Sequence, residues 1–257
     1  MKLFKLHPLI LFILSAILVT SCGQMKEEII IEKGGTGSYE MSFDMIPMMR
    51  GMMLGMSQMA DEGMMGPDSL EMMAKLEEQI WSKFPDEVDS TMDLSQGVPP
   101  EVRDNPAKMA IVKKATGFVR GGKNKGYLLS GVNYQFESVD DLKAFYEISR
   151  EGNKGNPKMD MLMGKTDTEM IITSNRFFRS QKIEQEEDEE DEQDLSSIEK
   201  FFEGAGITTV ITVPKKIKKI NVKTYEIVKR KGNSVTLKID ILDLFTASEP
   251  AEFDIRW

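Results

Sequence analysis

Two residues in this sequence carry reactive side chains without their usual helpers. Cys22 is the single cysteine and His7 the single histidine in 257 residues. A thiol becomes a catalytic nucleophile beside an imidazole base, and a zinc ligand beside further Cys or His. Cys22 has no such company, and without a second cysteine it cannot form an internal disulfide. Modification is the chemistry left to it. Methionine is the opposite case, with twelve of the twenty lying between Met41 and Met73. Met45, Met48, Met49, Met52, Met53, Met56 and Met59 recur at intervals of three and one, the spacing of one helix face. Soft thioethers select Cu(I) and Ag(I), so Met48, Met49, Met52, Met53 and Met56 form a candidate metal site, with Met159, Met161 and Met163 as a weaker second one. The same stripe also suits a helix that fills an irregular core with flexible side chains, and that is the favoured reading.

The surroundings of Cys22 say what modification it takes. Lys2 and Lys5 precede an uncharged apolar run, Pro8–Val19, too short to cross a bilayer comfortably but suited to a secretory signal. Val19, Thr20 and Ser21 then lead into Cys22. This resembles the lipobox of bacterial lipoproteins, in which signal peptidase II cuts before the cysteine and the new terminus carries lipid. One acyl chain binds only reversibly, whereas two or three on Cys22 would make attachment effectively permanent. Behind it, Lys26, Glu27 and Glu28 resemble the charged export signal of Bacteroidetes surface lipoproteins. The plain alternative is a solvated tether over residues 22–28.

Loss of residues 1–21 removes His7, Lys2 and Lys5, taking the net charge from −9 to −11. Net negative charge argues against nucleic-acid partners. With no imidazole and no free thiol, Ser-His-Asp and Cys-His catalysis and His/Cys zinc sites are excluded from the mature chain. Carboxylate chemistry survives, as in a glycan hydrolase with two carboxyls about 5–10 Å apart, but no pair stands out. Ser197 and Lys200 match a Ser-x-x-Lys pattern by chance, since its partner motifs are missing. No cofactor and no enzymatic activity are expected.

The positioning elements follow from periodicity. Ile29–Glu32 and the alternating Tyr39, Met41, Phe43 and Met45 read as strands around a Lys33–Gly37 turn. A helix is expected over Pro67–Phe84, a short strand over Glu87–Leu94, and a helical segment interrupted at Pro106 over Pro99–Ala115. A hairpin turns at Gly121–Gly126, placing Leu128, Val132, Tyr134 and Phe136 on one face. Ser138 caps a helix carrying Val139, Leu142, Phe145 and Ile148 inward. Glu151–Asp167 reads as a loop and Glu169–Arg179 as one strand. Glu184–Asp194, nine acids in eleven positions, lacks the glycine of an EF-hand loop and reads as a solvated loop. A short helix over Leu195–Phe202 precedes strands at Gly206–Val213, Val222–Val228, Val235–Ile241 and the C-terminus. Lys215–Lys231 holds eight basic residues and one acid, either a membrane- or glycan-facing patch or ordinary edge protection.

The fold class expected is α+β, antiparallel sheets with helices packed on one side. The organisation expected is a signal peptide (1–21), a lipidated tether (22–28), an α+β body (29–183), a flexible acidic loop (184–194) and a C-terminal β-rich unit (195–257) packed on the body, as one domain or two closely packed lobes. "FESVDDLKAF" after a hairpin and "TVPKKIKKI" before a terminal β unit are similar to Bacteroidetes-type lipoproteins, and the last fifty residues resemble the C-terminal unit of LppM-like lipoproteins. The resemblance implies a lipid-anchored protein of the outer membrane, facing the periplasm or the cell surface. Its expected partners are the membrane and an envelope protein or glycan. It implies no activity.

Overall fold

The computed structural model describes residues 25–47, 49, 75, 78–96, 98–153, 165–184 and 205–257. Cys22, Met48, Met52, Met53, Met56, the Met159–Met163 group, the Leu195–Phe202 helix and residues 185–194 of the acidic stretch lie outside them.

Alternation builds the first strands as expected. Strand β1 (Met25–Ile31) turns Glu27, Ile29 and Ile31 inward, and β2 (Gly37–Asp44) pairs with it antiparallel, Ile29 opposite Tyr39. The turn between them uses positive φ at Gly34 and Gly35, a region open to glycine. Strand β3 (Val88–Asp93) and β4 (Ala115–Gly122) pair antiparallel, and β4 turns through Lys123–Gly126 into β5 (Tyr127–Phe136). Between β3 and β4, Pro106 starts a helix instead of merely breaking one. Helix α1 (Pro100–Arg103) ends, and Asn105 caps α2 (Pro106–Val112) by accepting from the backbone N–H groups of Ala107 and Lys108. Ser138 caps α3 (Val139–Asn153) as expected, its hydroxyl accepting from the Asp141 N–H.

The second half departs from expectation in three places. Glu169–Arg179 is not one strand but parts of two, β6 (Lys165–Thr173) and β7 (Arg176–Glu184), folded back at Ser174-Asn175. After β8 (Gly206–Thr212), the run Val222–Val228 is also divided. Thr224 sits at φ 68° and bends the chain from β9 (Lys219–Lys223) into β10 (Glu226–Lys231), which belong to different sheets. Strand β11 (Ser234–Asp240) runs into a helix, α4 (Ile241–Thr246), because the Asp240 side chain accepts from the Leu242 N–H as an N-cap. Strand β12 (Ala251–Arg256) closes the chain.

These strands form an eight-stranded sheet, β10-β11-β8-β1-β2-β5-β4-β3, and a four-stranded sheet, β6-β7-β12-β9. Every pairing is antiparallel except β1 with β8, which run parallel, Glu27 opposite Thr209. The fold is α+β. The small sheet and α3 share the inner face of the large one. Tyr134 stacks on Phe145 of α3 at 4.2 Å between ring centres, while Phe177 meets Phe253 edge-on at 5.0 Å inside the small sheet. Ile29, Ile211, Leu237, Phe177 and Phe253 belong to one continuous buried cluster. The acidic stretch therefore joins strands of one core. The residues after it supply strands to both sheets.

Candidate functional site

The most unusual chemistry in the described structure is a buried charge pair at the junction of both sheets and α3. On β1 the inward positions are Glu27, Ile29 and Ile31, so the strand's own period drives a carboxylate into the core. On β7, Arg179 falls on the inward side with Phe177. The two residues are 5% and 2% exposed and meet with Nη1 at 2.7 and 2.8 Å from the two Glu27 oxygens. Neither charge would survive burial alone.

Further contacts surround the pair, while Arg179 Nε is buried without a hydrogen-bond partner among the described residues. The Thr209 hydroxyl on β8 donates to Glu27 Oε2 at 2.9 Å, and the Tyr146 hydroxyl on α3 donates to Oε1 at 2.5 Å. Arg179 Nη2 lies 3.4 Å from both Thr209 Oγ1 and the Tyr225 hydroxyl, and the Tyr225 hydroxyl donates to Gln181 at 3.0 Å. The guanidinium carbon stands 4.9 Å over the Phe253 ring. Burial works against charge on Arg179, but Glu27 above all, with Tyr225 and Tyr146, outweighs it and holds the guanidinium well above its ordinary pKa. Burial, then the Glu27 charge, pushes the Tyr146 and Tyr39 hydroxyls up, so both phenols stay protonated.

Chemically this cluster fastens elements together. Four hydrogen bonds from Arg179, Tyr146 and Thr209 occupy the acceptor sites of Glu27, leaving no lone pair for a substrate or metal. A phenol held above its ordinary pKa is a donor and not a base. Of the open depressions on the described surface, one is lined by Lys229, Lys231, Asn233, Ser234 and Thr236, and another by Thr224, Glu226, Lys238, Asp240 and Asp243. Neither touches the cluster.

The residues singled out from sequence fall elsewhere. Lys26, Glu27 and Glu28 are not in a tether, because β1 starts at Met25. Lys26 and Glu28 pair with each other at 2.9 Å on the outer face, while Glu27 serves the core. Of the five candidate copper ligands, Met49 is described. It packs beside Ile46, Ile80, Trp81 and Leu128, as a core-filling thioether does. Among the described residues no three of His, Cys, Asp and Glu are placed to share a metal, and no helix is long and apolar enough to cross a membrane. The basic stretch lies on β9, β10 and the loops beside them. All six residues of β10 are exposed at the edge of the large sheet, where lysines discourage edge-to-edge pairing.

An α+β body of two sheets pinned by a buried ion pair is the class the fold defines. Compared with known proteins, it shows a weak structural likeness to a solved domain. The folded domain of the Mycobacterium tuberculosis protein LppM, solved by NMR, matches at a TM-score of 0.39 with 10% identity, over 92% of this chain and 90% of that one. No family model and no curated protein matches the chain.

Proposed function

We propose that this is a lipid-anchored envelope protein whose body binds or braces another macromolecule and performs no reaction. The observation that carries the reading is Cys22 itself, the single cysteine, placed after an apolar run at lipobox spacing and three residues ahead of the first strand. Acylation there tethers the body by β1, the fourth strand of its eight-stranded sheet. The absence of imidazole and thiol from residues 23–257 supports a non-enzymatic role, as does the commitment of the buried carboxylate, Glu27, to Arg179. The compartment we infer is the outer membrane of a Bacteroidetes-type envelope, and the partner an envelope protein or glycan.

Mass spectrometry of the N-terminal peptide from the native host tests the anchor. The expected result is a chain starting at Cys22 with two or three acyl groups, and an uncut, unacylated precursor for Cys22→Ser. A mature N-terminus generated elsewhere without lipid would overturn the reading. Protease digestion of intact cells then separates the two faces of the membrane. The export variant for that experiment changes Lys26 and Glu28 and spares Glu27, whose loss would damage the fold.

A further inference from the structure

The anchoring reading carries a geometric consequence, on which this inference rests. Between Cys22 and Met25 lie three peptide steps, which span at most about 10 Å. Met25 is the first residue of β1, the fourth strand of eight, so the lipid is attached near the middle of one end of the large sheet. Register tells which parts share that end. Met25 lies level with Phe43, Ser130, Ile207 and Ile239. From Ser130, β5 runs three residues further to Tyr127, about 10 Å, before turning through Lys123–Gly126. The protrusion of that turn matches the reach of the tether.

We propose that the turn Lys123–Gly126, with Tyr127, is the element that rests on the phospholipid headgroups, and that the molecule stands end-on upon its membrane. A tether this short holds the Met25 end of the large sheet, with this turn on it, beside the bilayer that takes up the Cys22 lipid. The turn is chemically suited to the place. Lys123, Asn124 and Lys125 are exposed, and Tyr127 is an exposed aromatic at 38%, an amphipathic ring of the kind that sits at a membrane interface. It is also stiff. The Lys123 and Asn124 N–H groups donate to the carbonyls of Pro85 and Asp86. Gly122, at φ 119°, leaves no room for a Cβ, which would lie 2.4 Å from the Asp86 oxygen. Acids share this end, among them Asp86, Glu87 and Asp243, so contact relies on the tether and not on anionic lipid.

The opposite end then faces away from the membrane. It carries the Gly34-Gly35 turn, the start of α3 and the basic loops, since Val213 and Ile217 donate to Asn233 and Gly232 beyond the far ends of β8 and β11. Lys215, Lys216, Lys218 and Lys231 are therefore presented outward, while the bend at Thr224 leads from Lys223 to Glu226, level with Lys26 at the membrane end.

The test uses the full-length acylated protein in vesicles of phosphatidylethanolamine and phosphatidylglycerol, some lipids carrying a headgroup nitroxide. Because Cys22 is consumed by lipid, Asn124→Cys and Lys216→Cys each give a single thiol for a fluorophore. The expected result is several-fold stronger quenching at position 124 than at 216, equalised when about twenty Gly-Ser residues are inserted between Gln24 and Met25. Equal or reversed quenching in acylated, vesicle-bound protein overturns the orientation and leaves the anchor standing. A difference that survives the insertion also overturns it, since the tether would not be what sets the pose. Protein that mass spectrometry shows unacylated and that fails to bind vesicles removes the anchor and the orientation together.

Discussion

Glu27 and Arg179 are 152 positions apart and meet in a space with almost no water. Removing one partner strands the other, so Glu27→Ala is expected to cost about 3–5 kcal/mol in urea unfolding. Glu27→Leu combined with Arg179→Met is expected to recover much of that loss, because no charge is left buried alone. Lys26→Ala and Glu28→Ala, which break an exposed pair, should each cost less than about 1 kcal/mol. A second residue-scale expectation concerns acid. Burial would push the Asp254 carboxyl up, but the guanidinium groups of Arg176 and Arg256, each 2.9 Å away, outweigh it and hold it below its usual range. A native pKa below the unfolded one adds stability that is full above about pH 4 and drains as pH falls through the native value. Asp254→Asn should therefore lower the urea midpoint at pH 7 and flatten its fall toward about pH 2. The charge pair itself was open to reading: Glu27 shares the parity of Ile29 and Ile31, and Arg179 that of Phe177. What parity could not reveal is that the two inward charges meet, since that depends on how one sheet lies on the other.

At the scale of elements, local chemistry explains both what was legible and what was not. Hairpins with glycine turns and the Ser138 cap could be read directly, because those residues fix backbone geometry within four positions. The β6–β7 turn at Ser174-Asn175 has two residues and no glycine, and apolar residues on both sides disguised it as a continuous strand. Thr224 was harder still. A β-branched residue at φ 68° is one that local preference places in a strand, and only the pull of two sheets holds it otherwise. Thr224→Gly is accordingly expected to add about 1 kcal/mol to the unfolding free energy, read as a higher urea midpoint with unchanged circular dichroism. A fall in the midpoint would mean that the threonine side chain contributes more than its backbone costs.

For the whole molecule, the order of strands matters more than any one of them. Strand β1 pairs with β2 beside it in sequence and with β8 from the far side of the acidic stretch. Composition suggested a boundary at that stretch, since nine acids in eleven positions read like a linker. Composition carries no information about pairing, and the parallel β1–β8 ladder runs straight across the supposed division. Expressed separately, segments 22–184 and 205–257 should each lack a cooperative unfolding transition. Co-expressed, they should recover one, measured by near-ultraviolet circular dichroism and co-elution. A cooperative transition in 205–257 alone would show it to be an independent unit after all.

The β1–β8 ladder also sets a clock. Thr209, which hydrogen-bonds Glu27, follows it by 182 residues, so the first strand to be synthesised is among the last to be completed. On the proposed export route, Lys26, Glu27 and Glu28 are an exposed linear peptide during that interval and a closed sheet afterwards. On that route, machinery that needs the Glu27 side chain must read it before β1 is buried, whereas Lys26 and Glu28 stay on the outer face of the folded sheet. A mutation that hastens folding would shorten the time in which all three are visible together.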